Sequence, residues 1–293
     1  MLASDERWLS MGRMTEFEPQ FSGRAGFEAF LRSLLRADWN QEDGPLRLNS
    51  ALTLVDLGDS MFFSNARIFL SALAETNGTP VTATGNLTRA FVAGVFEKLN
   101  LPAGLRSSVR QVCKVINEQD VWPLHIVRIV CECAGLIARR NKRIQLSRTG
   151  RLLATEDQAG KLFRALFVGY FRRFDLQYNF PFRQVPAIQQ TMAVILWRLQ
   201  TVAADWKKVQ GIAPDLLLPD VHAQLRKAMI SERDQEEWIL SGYLLDALLI
   251  FGLIERQRPS GWFGVSEKDA IRISPLWQKF IRFVWQEEKV GWN

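Results

Sequence analysis

Between Gly23 and Asp38 the apolar residues Phe27, Phe30, Leu31, Leu34 and Leu35 fall at i, i+3, i+4, i+7 and i+8, the period of a helix with one buried face. The same spacing recurs along the chain. Phe62, Ala66, Phe69, Leu70 and Leu73 define a helix that starts from Asp59 or Ser60 as N-cap and stops at Asn77-Gly78. A brief extended piece from Pro80 to Ala83 follows, and then Leu87, Phe91, Val92, Val95, Phe96 and Leu99 line another helix, closed by Pro102. A connecting helix is expected over Ser107–Ile116, and a further one from Val121 to Ala134, where Gly135 supplies a stop. There the period shortens: Leu136, Ile137, Ile144 and Leu146 bracket a basic turn as two short strands.

Helix, extended piece, helix, helix and two-stranded hairpin is the winged-helix order, with the hairpin as the wing. The run Gly135-Leu136-Ile137-Ala138-Arg139, a basic turn, then Ile144-Gln145-Leu146-Ser147-Arg148-Thr149-Gly150 resembles the GLI-x-R, wing, LT-x-x-G stretch of MarR-like winged-helix regulators. A weaker copy lies later in the chain. Phe251-Gly252-Leu253-Ile254-Glu255-Arg256 echoes Ala134 to Arg139, Ile271-Arg272-Ile273-Ser274 echoes Ile144 to Ser147, and Trp122 and Trp238 each stand about one helix before the glycine. The second copy holds an insert with Pro259, Ser260, Gly261 and Gly264, which predicts a longer, more loop-like wing. The expected fold is therefore mainly α, with tandem winged-helix units, short β-hairpin wings and additional helices. Its expected segments are an N-terminal helical arm over 1–58, a first unit over 59–155, an arginine-rich aromatic linker helix over 156–186 ending near Pro181 and Pro186, and a second unit over 187–293.

Composition adds few chemical options. No run approaches the roughly 18 apolar residues that span a bilayer, since even Tyr243 to Ile254 is broken by Asp246. Asp5, Glu6 and Arg7 come before any apolar stretch, unlike a secretory signal, so a cytoplasmic location without membrane contact is expected. Cys113, Cys131 and Cys133 form neither an even disulfide set nor a CxxC pair, and His125 and His222 are the only imidazoles, so no metal and no cofactor is expected. No phosphate loop, HExxH or Gly-x-Ser-x-Gly elbow is present, and a non-catalytic role is expected. The nuclease-like alternative would need Asp215 or Asp220 with Glu287 and Lys289. Those acids lie beside prolines and in a charged terminal stretch, where solvated surface is the usual reading.

Charge is what changes the picture. Residues 136–210 hold fourteen Lys and Arg against four acidic residues, whereas residues 1–60 hold six against ten. Such a block suits phosphates or an acidic partner. The candidate nucleic-acid-binding residues are Arg139, Arg140, Lys142 and Arg143 in the wing turn, Arg148 and Arg151 after it, and Arg164, Arg172 and Arg173 in the aromatic helix. Arg128 is added as the one natural base reader on a pre-wing helix expected to expose His125, Arg128 and Glu132. The corresponding helix of the second copy, Trp238 to Phe251, reads as buried. Phe163, Phe167, Tyr170, Phe171 and Phe174 follow i, i+4, i+7, i+8 and i+11, a core stripe before they are a base-stacking platform. Two functions follow: binding of nucleic acid, DNA before RNA, mainly through backbone phosphates; or a protein-interaction subunit of a larger assembly, its basic patch set against an acidic surface. The resemblance also implies a homodimer, an arrangement that the internal copy could supply within one chain.

Overall fold

The computed structural model describes residues 21, 23–102, 104–179, 184–229, 236–257 and 264–285. The fold is mainly helical, 55% helix against 11% strand, with small antiparallel sheets. Among the described residues no helix is long and apolar enough to cross a membrane. The chain divides into a central unit of Asn49–Asp175 with Ile250–Gly252, and an outer unit of the segments up to Leu48, Leu176–Leu249 and from Leu253 onward. These borders differ from the expected segments. The expected arm over 1–58 contributes to the outer unit as far as Leu48, and the expected linker over 156–186 lies in the central unit as far as Asp175. Burial explains both: Phe27 and Phe30 of the arm, and Phe163, Phe167 and Phe171 of the linker, are core residues. Residues 1–20 and 22 of the expected arm, Pro181, the expected second-wing residues Pro259, Ser260 and Gly261, and the candidates Glu287 and Lys289 lie outside the described residues.

The described chain begins with α1 (Arg24–Leu35) and β1 (Leu46–Leu48), which belong to the outer unit. In the central unit, α2 (Met61–Glu75) starts where the Ser60 hydroxyl accepts the Phe63 N–H, and it ends before Gly78, whose φ of +84° is the left-handed stop that glycine adopts cheaply. β2 (Thr79–Pro80), α3 (Arg89–Phe96), α4 (Leu105–Val112) and α5 (Trp122–Cys133) follow. A hairpin of β3 (Ile137–Arg140) and β4 (Arg143–Leu146) leads to α6 (Arg148–Leu153) and α7 (Ala159–Val168). The last continues as a π-helical turn over Gly169–Arg173. The sheet is antiparallel in the order β2-β4-β3.

One motif glycine has a clear physical cause. A Cβ at Gly150 would lie 1.9 Å from the Leu136 carbonyl oxygen, the same oxygen that accepts the Ser147 N–H at 2.9 Å. The Ser147 hydroxyl in turn accepts the Gly150 N–H at 2.8 Å and caps α6. The chain can turn from β4 into α6 this tightly only where no side chain intrudes.

The core of this unit is aromatic. Phe251 stacks on Phe62 with ring centroids 4.5 Å apart, and Phe163, Phe167, Tyr170 and Phe171 surround it at 5.7, 5.9, 5.6 and 5.8 Å. Offset and edge-on rings at such spacings are attractive beyond their buried area.

The outer unit continues with α8 (Pro186–Gln190), α9 (Met192–Val202), β5 (Lys207–Lys208), α10 (Ala213–Leu216) and α11 (Pro219–Ala228). α12 (Glu236–Leu240) passes through a π-helical turn over Ser241–Leu245 into α13 (Asp246–Ile250). A hairpin of β6 (Ile254–Gln257) and β7 (Ala270–Ile273), then α14 (Pro275–Phe280) and β8 (Ile281–Phe283), complete it. β8 pairs antiparallel with β1, and Phe27 and Phe30 of α1 pack on Trp197 at 5.9 and 5.4 Å.

The sheet order β5-β7-β6 repeats that of β2-β4-β3. The local bonds repeat as well: Ser274 N–H donates to Leu253 O at 3.0 Å, and its hydroxyl caps α14 by accepting the Trp277 N–H. The repeat is not complete, because buried Trp277 stands where the first copy has Gly150.

Candidate functional site

The register of the first hairpin sorts its cations. Directly opposed residues share a face, so Arg139 lies on the face of Ile137, Ile144 and Leu146, while Ala138 with Gln145 and Arg140 with Arg143 lie on the other. Arg139 is exposed and donates to the Gly85 carbonyl at 2.6 Å, and a side chain at Gly85 would strike its guanidinium at 2.5 Å. Arg256, which matches Arg139 in the second copy, likewise donates to the carbonyl of a glycine, Gly264. The arginine shared by the two copies is therefore a tie between hairpin and loop. On the other face Arg143 donates to the Gly78 carbonyl at 2.8 Å, which draws one charge away from Arg140 directly across the ladder.

Arg140 and Lys142 remain exposed, with no hydrogen-bond or ion-pair partner among the described residues. The two-residue tip is Asn141-Lys142, with φ of +48° and +58°. A tip of this geometry favours Asn-Gly, and a β-carbon in the left-handed region costs about 1–2 kcal/mol. Lys142→Gly is accordingly expected to raise stability by roughly 0.5–1 kcal/mol while removing the tip charge, as a urea titration would measure. An unchanged or lower midpoint would show that the lysine carries no backbone strain.

Beyond the hairpin, Arg148 and Arg151 are exposed on α6, again without a partner among the described residues. Arg164 is half-buried on α7, and Arg172 and Arg173 are exposed on the π-helical turn. Arg173 donates to the Cys133 carbonyl at 3.3 Å, a cation at the C-terminal end of α5, where the helix dipole favours it.

Arg128 corrects the sequence expectation. It is 7% exposed and His125 3% exposed, so neither can reach a base edge. The cause is Glu118, which is 1% exposed. Its Oε1 accepts from His125 Nδ1 at 2.7 Å and from Arg128 Nε, and its Oε2 accepts the Leu87 N–H at 2.6 Å. Burial alone would push the Glu118 carboxyl up, yet the bonds from His125, Leu87 and Arg128 together hold it below the usual glutamate value. Sequence reasoning did not single out Glu118. Its only local trace is the capping box of Asn117 and Asp120 around it.

α5 is covered almost all round. Among its residues only Trp122 and Glu132 are exposed. α2 packs on it, and so does the π-helical turn, where a Cβ at Gly169 would meet Ala134 Cβ at 3.0 Å and the Val130 carbonyl at 3.3 Å. In the outer unit, Asp246 accepts the Val265 N–H at 2.6 Å. Burial pushes its carboxyl up against the lowering effect of the Val265 N–H and Arg256, with Asp269 nearby adding to the rise. Of the nuclease candidates, Asp215 pairs with Lys207 at 2.9 Å and Asp220 lies on α11, while Glu287 and Lys289 lie outside the described residues.

Residues 58–160 match the family model of the Y4jL N-terminal domain, a stretch that runs from just before α2 to the start of α7. No curated protein and no solved structure matches the chain.

Proposed function

We propose that the chain is a non-catalytic tandem winged-helix protein that binds nucleic acid through backbone phosphates, with Arg140, Lys142, Arg148 and Arg151 of the central unit as the principal contacts. The winged-helix reading is supported by the helix-strand-helix-hairpin order and by its repetition with the same strand order. The observation that carries the phosphate reading is the set of four exposed cations, unpartnered among the described residues, on a unit whose pre-hairpin helix is sheathed. Cations held on a hairpin and a helix, with no groove-reading helix beside them, contact the part of a nucleic acid common to all sequences. Arg139, Arg143 and Arg173 retain unused donors after their carbonyl bonds, and Arg164 and Arg172 extend the charge along α7 and the turn after it.

Fluorescence anisotropy with a labelled DNA of about 20 base pairs tests this at low salt. Converting the four cations to alanine is expected to weaken binding at least tenfold, roughly 1.4 kcal/mol. Equal binding by the variant would remove the reading.

One observation favours the adaptor alternative. α4 has no buried residue; Val112 at its end and Val115 just after it are 82% and 50% exposed. A stoichiometric protein partner retained through purification, together with no nucleic-acid binding, would select it.

A further inference from the structure

We infer that the nucleic acid held by this surface is a double helix, contacted through its phosphates alone and without preference for sequence. The inference rests on the phosphate-binding reading above and narrows it to one class of ligand.

Proteins that hold single strands without sequence preference interleave cations with open aromatic faces, on which successive bases stack. The basic segment carries the right residue types in sequence, since Phe163, Phe167, Tyr170, Phe171 and Phe174 alternate with Arg164, Arg172 and Arg173. The fold withdraws every one of those rings. Their exposures are 0, 0, 4, 0 and 2%, and they are committed to the aromatic core. Among the described residues of the central unit the large apolar side chains left open are Val55, Val112, Val115 and Leu152, which offer no π-face, and Trp122. Trp122, at 46%, is a single open ring, and a platform on which successive bases stack needs more than one.

Base edges are out of reach for a different reason. A protein reads them by laying a helix or ribbon in a groove, and α5 is covered on the faces that would enter one. What remains is charge on fixed backbone. Arg140 is held by the β3–β4 ladder, Lys142 by the tip that closes it, where its carbonyl accepts the Val81 N–H at 3.0 Å, and Arg148 and Arg151 by a helix whose first turn is capped by Ser147. Fixed cations suit a rigid and regular array of anions. A duplex presents one phosphate charge per about 1.7 Å of axis, whereas a flexible single strand loses freedom in matching the same positions without stacking in return.

The test is anisotropy of the full chain at one low salt concentration against a duplex of about 20 base pairs, each of its component strands and a scrambled duplex, in DNA and RNA arms. The expected result is duplex binding at least tenfold tighter than either strand, in DNA or in RNA, with the scrambled duplex within about threefold. Four phosphate contacts predict a slope of about −3.6 for log affinity against log salt on duplex DNA. A component strand bound as tightly as the duplex would overturn the inference and leave the phosphate reading standing. A scrambled duplex bound more than tenfold more weakly would overturn it too, by showing base readout. If no polymer binds, the underlying reading fails and this inference with it.

Discussion

Phe251→Ala is expected to lower stability by about 3–5 kcal/mol, the range for removing a fully buried aromatic ring from a packed core. Phe251 is 0% exposed and touches five other rings, from Phe62 of α2 to Phe171 of the π-helical turn. Those neighbours come from separate parts of the central unit, so they cannot all close on the vacated volume. Chemical denaturation followed by tryptophan fluorescence measures the change, and Phe251→Leu should recover a large part of it. A loss below about 1 kcal/mol for the alanine variant would show that the ring is not a core element.

The second large effect is expected at Glu118. Truncation to alanine leaves Arg128 buried beside the more exposed Glu132, at 3.2 Å, and takes away the carboxylate that accepts from His125 Nδ1 and the Leu87 N–H. Breaking a buried ion pair from one side costs about 3–5 kcal/mol, whereas replacing all partners by apolar groups of similar shape is often close to neutral. Glu118→Leu combined with His125→Phe and Arg128→Met should therefore be much more stable than Glu118→Ala. The pH dependence has a definite sign. Because the folded carboxyl lies below its unfolded value, its contribution is fully present above the ordinary glutamate pKa of about 4.3 and is lost as pH falls through the depressed folded value. The gap in thermal midpoint between the native chain and Glu118→Ala should be constant near neutrality and narrow in acid below about pH 4. A gap that persists unchanged into strong acid would assign the effect to packing.

Features set by repetition along the chain were open to sequence reasoning. The stripe from Phe62 to Leu73, the Asn77-Gly78 stop and the strand-turn-strand of residues 137–146 correspond to α2, its end and the β3–β4 hairpin, because a buried face must recur at the period of its own element. The glycine of the LT-x-x-G motif was visible too, although its reason, the Leu136 carbonyl, belongs to the structure. Arg128 was misread because helical spacing places it opposite an apolar stripe, and no local pattern reveals a carboxylate ten residues earlier that draws it inward. β1 and β8 carry three residues each, too few for alternation to stand out, and their pairing spans most of the chain. The spacing of Phe163 to Phe174 reads as one continuous α-helix, and the π-helical turn within it left no mark on that pattern. Among the candidate cations, the sequence could not separate those bound to carbonyls, Arg139, Arg143 and Arg173, from those left open, Arg140, Lys142, Arg148 and Arg151. Both groups are arginines or lysines in loops and short elements, and the difference is a matter of which carbonyl lies within reach.

The pairing of β1 with β8 also sets an order in time. A ribosome adds about 5–20 residues per second, so the interval between synthesis of Leu48 and that of its region's partner strand at Ile281 is on the order of 10–50 s. For roughly the first two thirds of that interval the apolar face of α1 has been made without Trp197, and until its end the strand that secures β1 is still to come. The first helix of the described residues is thus among the last to be locked, which leaves Phe27, Phe30, Leu31 and Leu34 open to a chaperone in the meantime.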